Sequence, residues 1–213
     1  MAAPGAGQGR RAVTTATPAR GRPRDPALDT AILTAALELF IAQGISAMSI
    51  EQVAKRAGVG KPTIYRRWST KERLVADAIE NLVGADIRWP DAEEIAATPP
   101  HQLVRRNIDA AARTAADPTF RALVAQIYGS AVTHPVLMQT YWTHYIVPRR
   151  VLTIAMLRRA QADGAVSPDA DLDVVVDMLA GAVTYRVLQP DPPDYRQMKR
   201  YLTAAYRQVG LLP

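Results

Sequence analysis

The sequence predicts an all-α fold: a three-helix N-terminal head and a larger C-terminal helical bundle, about nine helices in all. Three observations predict it. Apolar residues recur at spacings of three and four, and no alternating strand pattern of useful length occurs. Ser, Asp and Pro stand before the apolar runs and Gly stands after them, which are helix start and stop signals. The composition, 48% hydrophobic and 22% charged over 213 residues, suits a globular chain of one or two domains.

Taken in order, residues 1–24 are rich in Gly, Ala, Pro and Thr and poor in bulky apolar side chains, so they form an unstructured basic arm. Asp25-Pro26 caps a first helix running to Gln43 and ending at Gly44, with Ile32, Leu33, Ala36, Leu37, Leu39 and Phe40 inward. Ser49 with Gln52 makes a capping box for a second helix over 49–57, closed by Gly58. Pro62 fits only a first helical turn, so a third helix covers 61–67, with Ile64 and Trp68 on its buried side. Ser69-Thr70-Lys71-Glu72 reads as a capping box opening a fourth helix that turns Leu74, Ala78, Ile79 and Leu82 inward.

Beyond it, Arg88–Pro100 is a Trp-Pro and Pro-Pro connector without a core element. Helices then follow from Leu103 to Ala116, from Asp117-Pro118 onward, and from His134-Pro135 to Ala162, the last kinked or split by Pro148 and ended by Gly164. Asp171 to Leu188 is apolar around most of its circumference, and Pro193 to Val209 is amphipathic. The domain reading is therefore an arm over 1–24, a head over 25–85 and a C-terminal domain over 86–213.

The segment from Ser49 to Trp68 carries the chemistry. Its turn is punctuated by Gly58 and Gly60, and the helix after it is tipped with Lys61, Thr63, Tyr65, Arg66 and Arg67. These groups suit phosphate oxygens and base edges, and a short helix on a rigid turn suits a DNA major groove. A plain helical hairpin with a solvated basic face would share that spacing. Charge separates the two readings: through Val75 the chain carries 12 Lys+Arg and 5 Asp+Glu, while the remainder carries 14 and 15. The whole positive excess lies with the hairpin, which is the footprint of phosphate binding. Ser49, Gln52 and Pro62 complete the candidate DNA-binding set at the turn. Arg22 and Arg24, in Arg20-Gly21-Arg22-Pro23-Arg24, extend it as an arm resembling minor-groove AT-hooks.

The pattern Ile32–Ala36–Leu39-Phe40, Gly44, Ser49 to Ala54, Ala57-Gly58-Val59, Thr63 to Trp68 and Lys71-Glu72-x-Leu74 resembles the N-terminal domain of TetR-family transcriptional regulators over about 60 residues, 26–85. Pro148-Arg149-Arg150 and Leu157-Arg158-Arg159-Ala160 with Gly164 are similar to one large subgroup. The resemblance implies a homodimer formed through the helices at 171–188 and 193–209, with Tyr201, Leu202, Ala205, Tyr206 and Val209 supplying one stripe of a four-helix bundle. A central core helix of a monomer is the other reading of 171–188. The resemblance also implies a palindromic double-stranded DNA operator, a repressor released by a small hydrophobic or amphipathic effector, and Lys71 on the DNA backbone. It places the effector among the middle helices, where Tyr128, Met138, Tyr141, Trp142, Tyr145 and Met156 stand. Aromatic and Met side chains suit such a molecule, although core packing explains any one of them equally.

Other classes fare worse. Three histidines, no cysteine and no His-Glu-x-x-His leave no metal site, and no cofactor is expected. Pro62 and Lys55 spoil any phosphate-loop match, and Gly5-x-Gly7-x-Gly9 follows no strand. An architectural DNA-binding protein without effector is the alternative, and a helical enzyme a remote one. No apolar run approaches the roughly 18 residues of a membrane span, and the Arg-rich start is no secretory signal, so a cytoplasmic, nucleoid-associated bacterial protein is expected.

Overall fold

The computed structural model describes residues 26–84 and 90–213. The predicted arm, the Asp25 cap and Trp89 of the connector lie outside the described residues. Among these the order is α1 (Pro26–Ala47), α2 (Ile50–Ala57), α3 (Lys61–Tyr65), α4 (Lys71–Gly84), α5 (Ala92–Ala97), α6 (Pro100–Ala116), α7 (Pro118–Gly129), α8 (Pro135–Tyr141), a π-turn (Trp142–Ile146), α9 (Val147–Ala162), α10 (Leu172–Val187) and α11 (Tyr195–Gln208), with no strand.

Local signals explain most boundaries. Ser49 Oγ accepts from the Gln52 N–H at 3.2 Å while Gln52 Oε1 accepts from the Ser49 N–H at 2.7 Å, the reciprocal capping box. Gly58 adopts φ +68 and the Val59 N–H reaches back to the Ala54 carbonyl at 2.9 Å, so the chain reverses without steric cost. Asp117 caps α7 through the Thr119 and Phe120 N–H groups, and Asp194 with Gln197 makes a second capping box on α11.

Several expectations need correction. The break at Gly44 is real, at φ +76 and ψ 168, but a further helical turn follows it to Ala47. The cap of α4 is Thr70, whose Oγ1 accepts from the Arg73 N–H at 3.1 Å, rather than Ser69, because the helix starts one residue later. The third helix ends at Tyr65, two residues early, in a turn closed by the Arg67 and Trp68 N–H groups on the Ile64 carbonyl. The connector contains α5, which Asp91 caps by accepting from the Glu94 N–H at 2.8 Å. Leu82 is exposed, not inward. The segment around Pro148 is divided, as expected, into α8 and α9, but through a π-turn: it widens the backbone just upstream, where the ring would clash and a carbonyl loses its N–H partner, and Pro148 stands in the first turn of α9. By length and composition α1 could cross a membrane, contrary to expectation, yet Ile32, Ala36 and Phe40 on it are 0% exposed in the core.

Two apolar clusters result. One joins α1–α4 to Leu123 and Ile127 of α7, Leu137 and Tyr141 of α8, and Tyr145 of the π-turn. The other joins α6, α9, α10, α11 and the tail residues Leu211 and Leu212. The head's core therefore does not stop at residue 85; it continues into α7 and α8. Gly44 marks the contact, because a Cβ there would stand 2.8 Å from Gln126 Oε1 of α7. Its dihedrals lie in a region essentially reserved for glycine, so Gly44→Ala should cost about 1–3 kcal/mol of stability. Chemical denaturation measures this, and an unchanged midpoint would show that the kink is not rigidly imposed.

α10 and α11 also depart from expectation. On the single chain α10 buries Val176 and Val187 but exposes Val174, Met178, Tyr185 and Leu188. α11 turns Leu202 fully, and Tyr201, Tyr206 and Val209 partly, into its own chain's core beside α6. Part of the stripe expected at a subunit interface, Leu202 above all, is thus packed within its own chain beside α6.

Candidate nucleic-acid interface

α3 owes its position to its buried side. Ile64 is 0% exposed and Trp68 6%, and Trp68 Nε1 donates to Asp77 Oδ2 of α4 at 3.0 Å. With one face locked, the next residues in the helix must project outward. Tyr65 is 57% exposed, and Lys61, Pro62 and Arg66 are exposed, with Thr63 half-buried. Lys61 Nζ pairs with Glu51 Oε2 at 2.9 Å across the turn. Both partners are largely exposed, so the pair is weak and yields easily to a phosphate. Ser49 and Gln52 stand at the rim of the turn, and their polar groups are engaged in the cap, with Gln43 Nε2 donating to Gln52 Oε1 at 3.1 Å.

Two of the candidate DNA-binding residues have partners within the head. Arg67 is ion-paired to Asp29 of α1 and its Nη1 donates to the Thr63 carbonyl at 3.2 Å. One residue on from Arg66, it lies about 100° further round the turn and faces α1. Lys71 donates from Nζ to the Met48 carbonyl at 3.0 Å, half-buried, so it ties α4 to the α1–α2 junction. Arg22 and Arg24 lie outside the described residues. Sequence reasoning passed over Lys55 and Arg56, which add exposed cations on α2; Arg56 Nε pairs with Glu38 Oε2 at 2.5 Å.

The six expected effector residues are not all brought together. Tyr141 and Tyr145 stack at 4.8 Å, and burial raises both phenols above the ordinary tyrosine range, so they stay neutral. Tyr128 acts electrostatically on both, and Met138 packs at the edge of the same cluster. Met156 belongs to the other cluster, and Trp142 is 44% exposed. The sequence reading missed Arg149, whose guanidinium lies 3.4 Å from the Tyr145 ring centroid. The available signal was its place directly after Pro148. An open groove of about 600 Å³ lies elsewhere, along α11, lined by Arg196, Lys199, Arg200 and Arg207 among others.

A short exposed cationic helix, clamped by a glycine turn onto a helical body, defines a helix-turn-helix DNA-binding regulator. Comparison with known proteins agrees. Residues 32–78 match the family described as bacterial regulatory proteins, tetR family, and residues 103–205 match the tetracyclin repressor-like C-terminal domain. The uncharacterized HTH-type transcriptional regulator YdeS of Bacillus subtilis is 29% identical over 171 residues, covering 79% of this chain and 82% of that one. A transcriptional regulator from Saccharomonospora viridis, solved with choline, superposes with a TM-score of 0.69 at 17% identity, covering 85% of this chain and 96% of that one. FadR of Bacillus subtilis, solved with stearoyl-CoA, gives 0.65 at 15%, covering 84% and 96%. The chain belongs to the TetR family of DNA-binding transcriptional regulators.

Proposed function

We propose that this protein is a ligand-responsive, sequence-specific repressor that binds a palindromic operator as a homodimer and leaves it when a small hydrophobic or amphipathic effector occupies the C-terminal domain. The observation that carries it is the presentation of α3: Tyr65 and Arg66 stand in solvent while Ile64 and Trp68 are locked beneath them. Residues 25–85 act as the DNA-binding head, 86–213 as the effector and dimer domain, and 1–24 as an arm whose Arg22 and Arg24 add minor-groove contacts. Lys61, Thr63, Tyr65 and Arg66 meet the duplex, with Lys71 available to phosphate from its seat on Met48. The site of action is the bacterial nucleoid, in the cytoplasm.

What supports the dimer is an unpartnered seam on α10. Val174, Met178, Gly181, Tyr185 and Leu188 are exposed and follow one another at spacings of four and three, the repeat of two helices packed along their length. At Gly181 an added Cβ would meet nothing within 4 Å, so the seam has a small residue at its centre where a second helix can approach closely. Two-fold pairing places the two α3 helices about one DNA turn apart, roughly 34 Å. Met178→Glu should turn the dimer into a monomer in light scattering without lowering the monomer's own helix content; a persistent dimer would move the interface elsewhere.

Regulation follows from linkage. An effector that favours a dimer geometry unsuited to DNA weakens operator binding by as much as DNA weakens effector binding, typically about 1–3 kcal/mol. α7, α8 and the π-turn share the head's apolar cluster, which supports them as the route of that coupling. Selection from random duplexes, repeated with candidate effectors, tests the whole reading. Enrichment of one short inverted repeat is the expected result, and broad weak binding without a preferred site would overturn it in favour of an architectural role.

A further inference from the structure

A carboxylate stands at the leading edge of the cationic head. Through Val75 the chain carries only 5 Asp+Glu against 12 Lys+Arg, so an exposed acid there is the exception. The other described carboxylates of that stretch are used elsewhere. Asp29 pairs with Arg67, Glu38 of α1 with Arg56 of α2, and Glu72 with His134 at the start of α8. Among the described residues Glu51 is the one carboxylate paired with a residue of α3, Lys61 at its first position, and its side chain is 73% exposed. Ile50, Val53 and Ala54 form the buried side of α2, so Glu51 turns outward. The 2.9 Å pair then sets its carboxylate beside the N-terminal end of α3, the end of a recognition helix that meets base edges.

A negative charge in that place opposes binding to duplex of every sequence, because phosphates crowd the groove rim. Its contribution therefore lies in discrimination. When Lys61 passes to a phosphate, the carboxylate loses its partner, and it can only accept hydrogen bonds. In the major groove guanine and thymine present acceptors. Adenine presents an acceptor beside its amino group, and cytosine presents the N4 amino donor alone. Against guanine or thymine a desolvated carboxylate meets like partial charges and no donor. That cost falls on wrong sequences only, which is how an unpaired polar group raises specificity.

We infer that Glu51 is a specificity-determining residue, its carboxylate accepting from the N4 amino group of one cytosine in each half-site and rejecting other bases at that position. This rests on the reading of the head as a sequence-specific DNA binder. Lys61 neutralises the carboxylate off DNA and releases it to the base on DNA.

The test selects from random duplexes with the full-length protein, its Glu51→Ala variant and its Glu51→Gln variant. The parent should enrich cytosine at one half-site position that Glu51→Ala leaves unspecified and Glu51→Gln no longer holds for cytosine, every other position keeping its base. On the parent's own duplex, replacing that cytosine in both half-sites should cost the parent about tenfold or more in affinity and Glu51→Ala far less. Non-specific duplex should bind both variants tighter than the parent. Lys61→Met should weaken all duplexes alike and keep the cytosine. A base preference that neither Glu51 variant changes overturns the inference, and so does relaxation at a position held by any base other than cytosine. Variants that bind every duplex more weakly with the preference intact make Glu51 only a holder of Lys61, which overturns it too. A parent that enriches no site at all sinks the reading of the head as sequence-specific, and this inference with it.

Discussion

Trp68→Ala should unfold the head. The side chain is 6% exposed, packs in the apolar cluster shared by α1–α4, and donates to Asp77 of α4 at 3.0 Å. Truncating a buried tryptophan removes its transfer free energy and leaves a cavity, at about 3–5 kcal/mol. A single domain has only about 5–15 kcal/mol to lose, so the effect takes a large share of the total. Asp77 keeps a partner, since Arg73 Nε lies 2.9 Å from its other oxygen, so the loss is one of packing more than of orphaned charge. Denaturant titration of the full chain measures it. A midpoint within about 1 kcal/mol of the parent would mean that the head closes over the gap, which the locked α3–α4 angle argues against.

Arg66→Ala and Tyr65→Ala should do the opposite: large losses of operator affinity with the melting temperature nearly unchanged. Both side chains stand in solvent, and surface substitutions away from special contacts change stability by about 0.5 kcal/mol or less. A base contact is worth about 1–3 kcal/mol, and a dimer presents each residue twice, so losses of about thirtyfold to ten-thousandfold are expected on the selected duplex. Non-specific duplex should be bound nearly as before at Tyr65→Ala. The neighbour supplies the control, because Arg67 is held by Asp29 and its own helix. Equal losses of stability and affinity at Arg66 would make it a second Arg67, and the interface would have to be redrawn on α2, around Lys55 and Arg56.

The contrast between Arg66 and Arg67 shows where sequence reasoning stops. Both are basic, adjacent and next to Trp68, and nothing in local pattern ranks one above the other. The direction of each is settled by Asp29, 38 residues away from Arg67 along the chain. Lys71 behaves alike: its first-turn position suggested phosphate, and the Met48 carbonyl 23 residues earlier takes its ammonium. Tyr201, Leu202 and Tyr206 formed a legible stripe, but periodicity says only that a helix has an apolar face, not which neighbour covers it. α6 covers it, leaving α10's seam bare. Leu82 was assigned inward by the same logic and stands 44% exposed.

By itself the sequence determined the helices of the head and their order, the turn between α2 and α3, the cationic bias of the first 75 residues and hence the family. Those features act over one to four residues or sum over many, through caps, left-handed glycines, a proline at a helix start and net charge, and such effects do not wait on the rest of the fold. Only the tertiary structure decided which arginine faces outward, that the head's core continues into α7 and α8, and that Arg149 of α9 lies over the Tyr145 ring. Each of these depends on the rotation of a helix about its axis against a partner distant in sequence, and burial energy selects that rotation only once both helices are present.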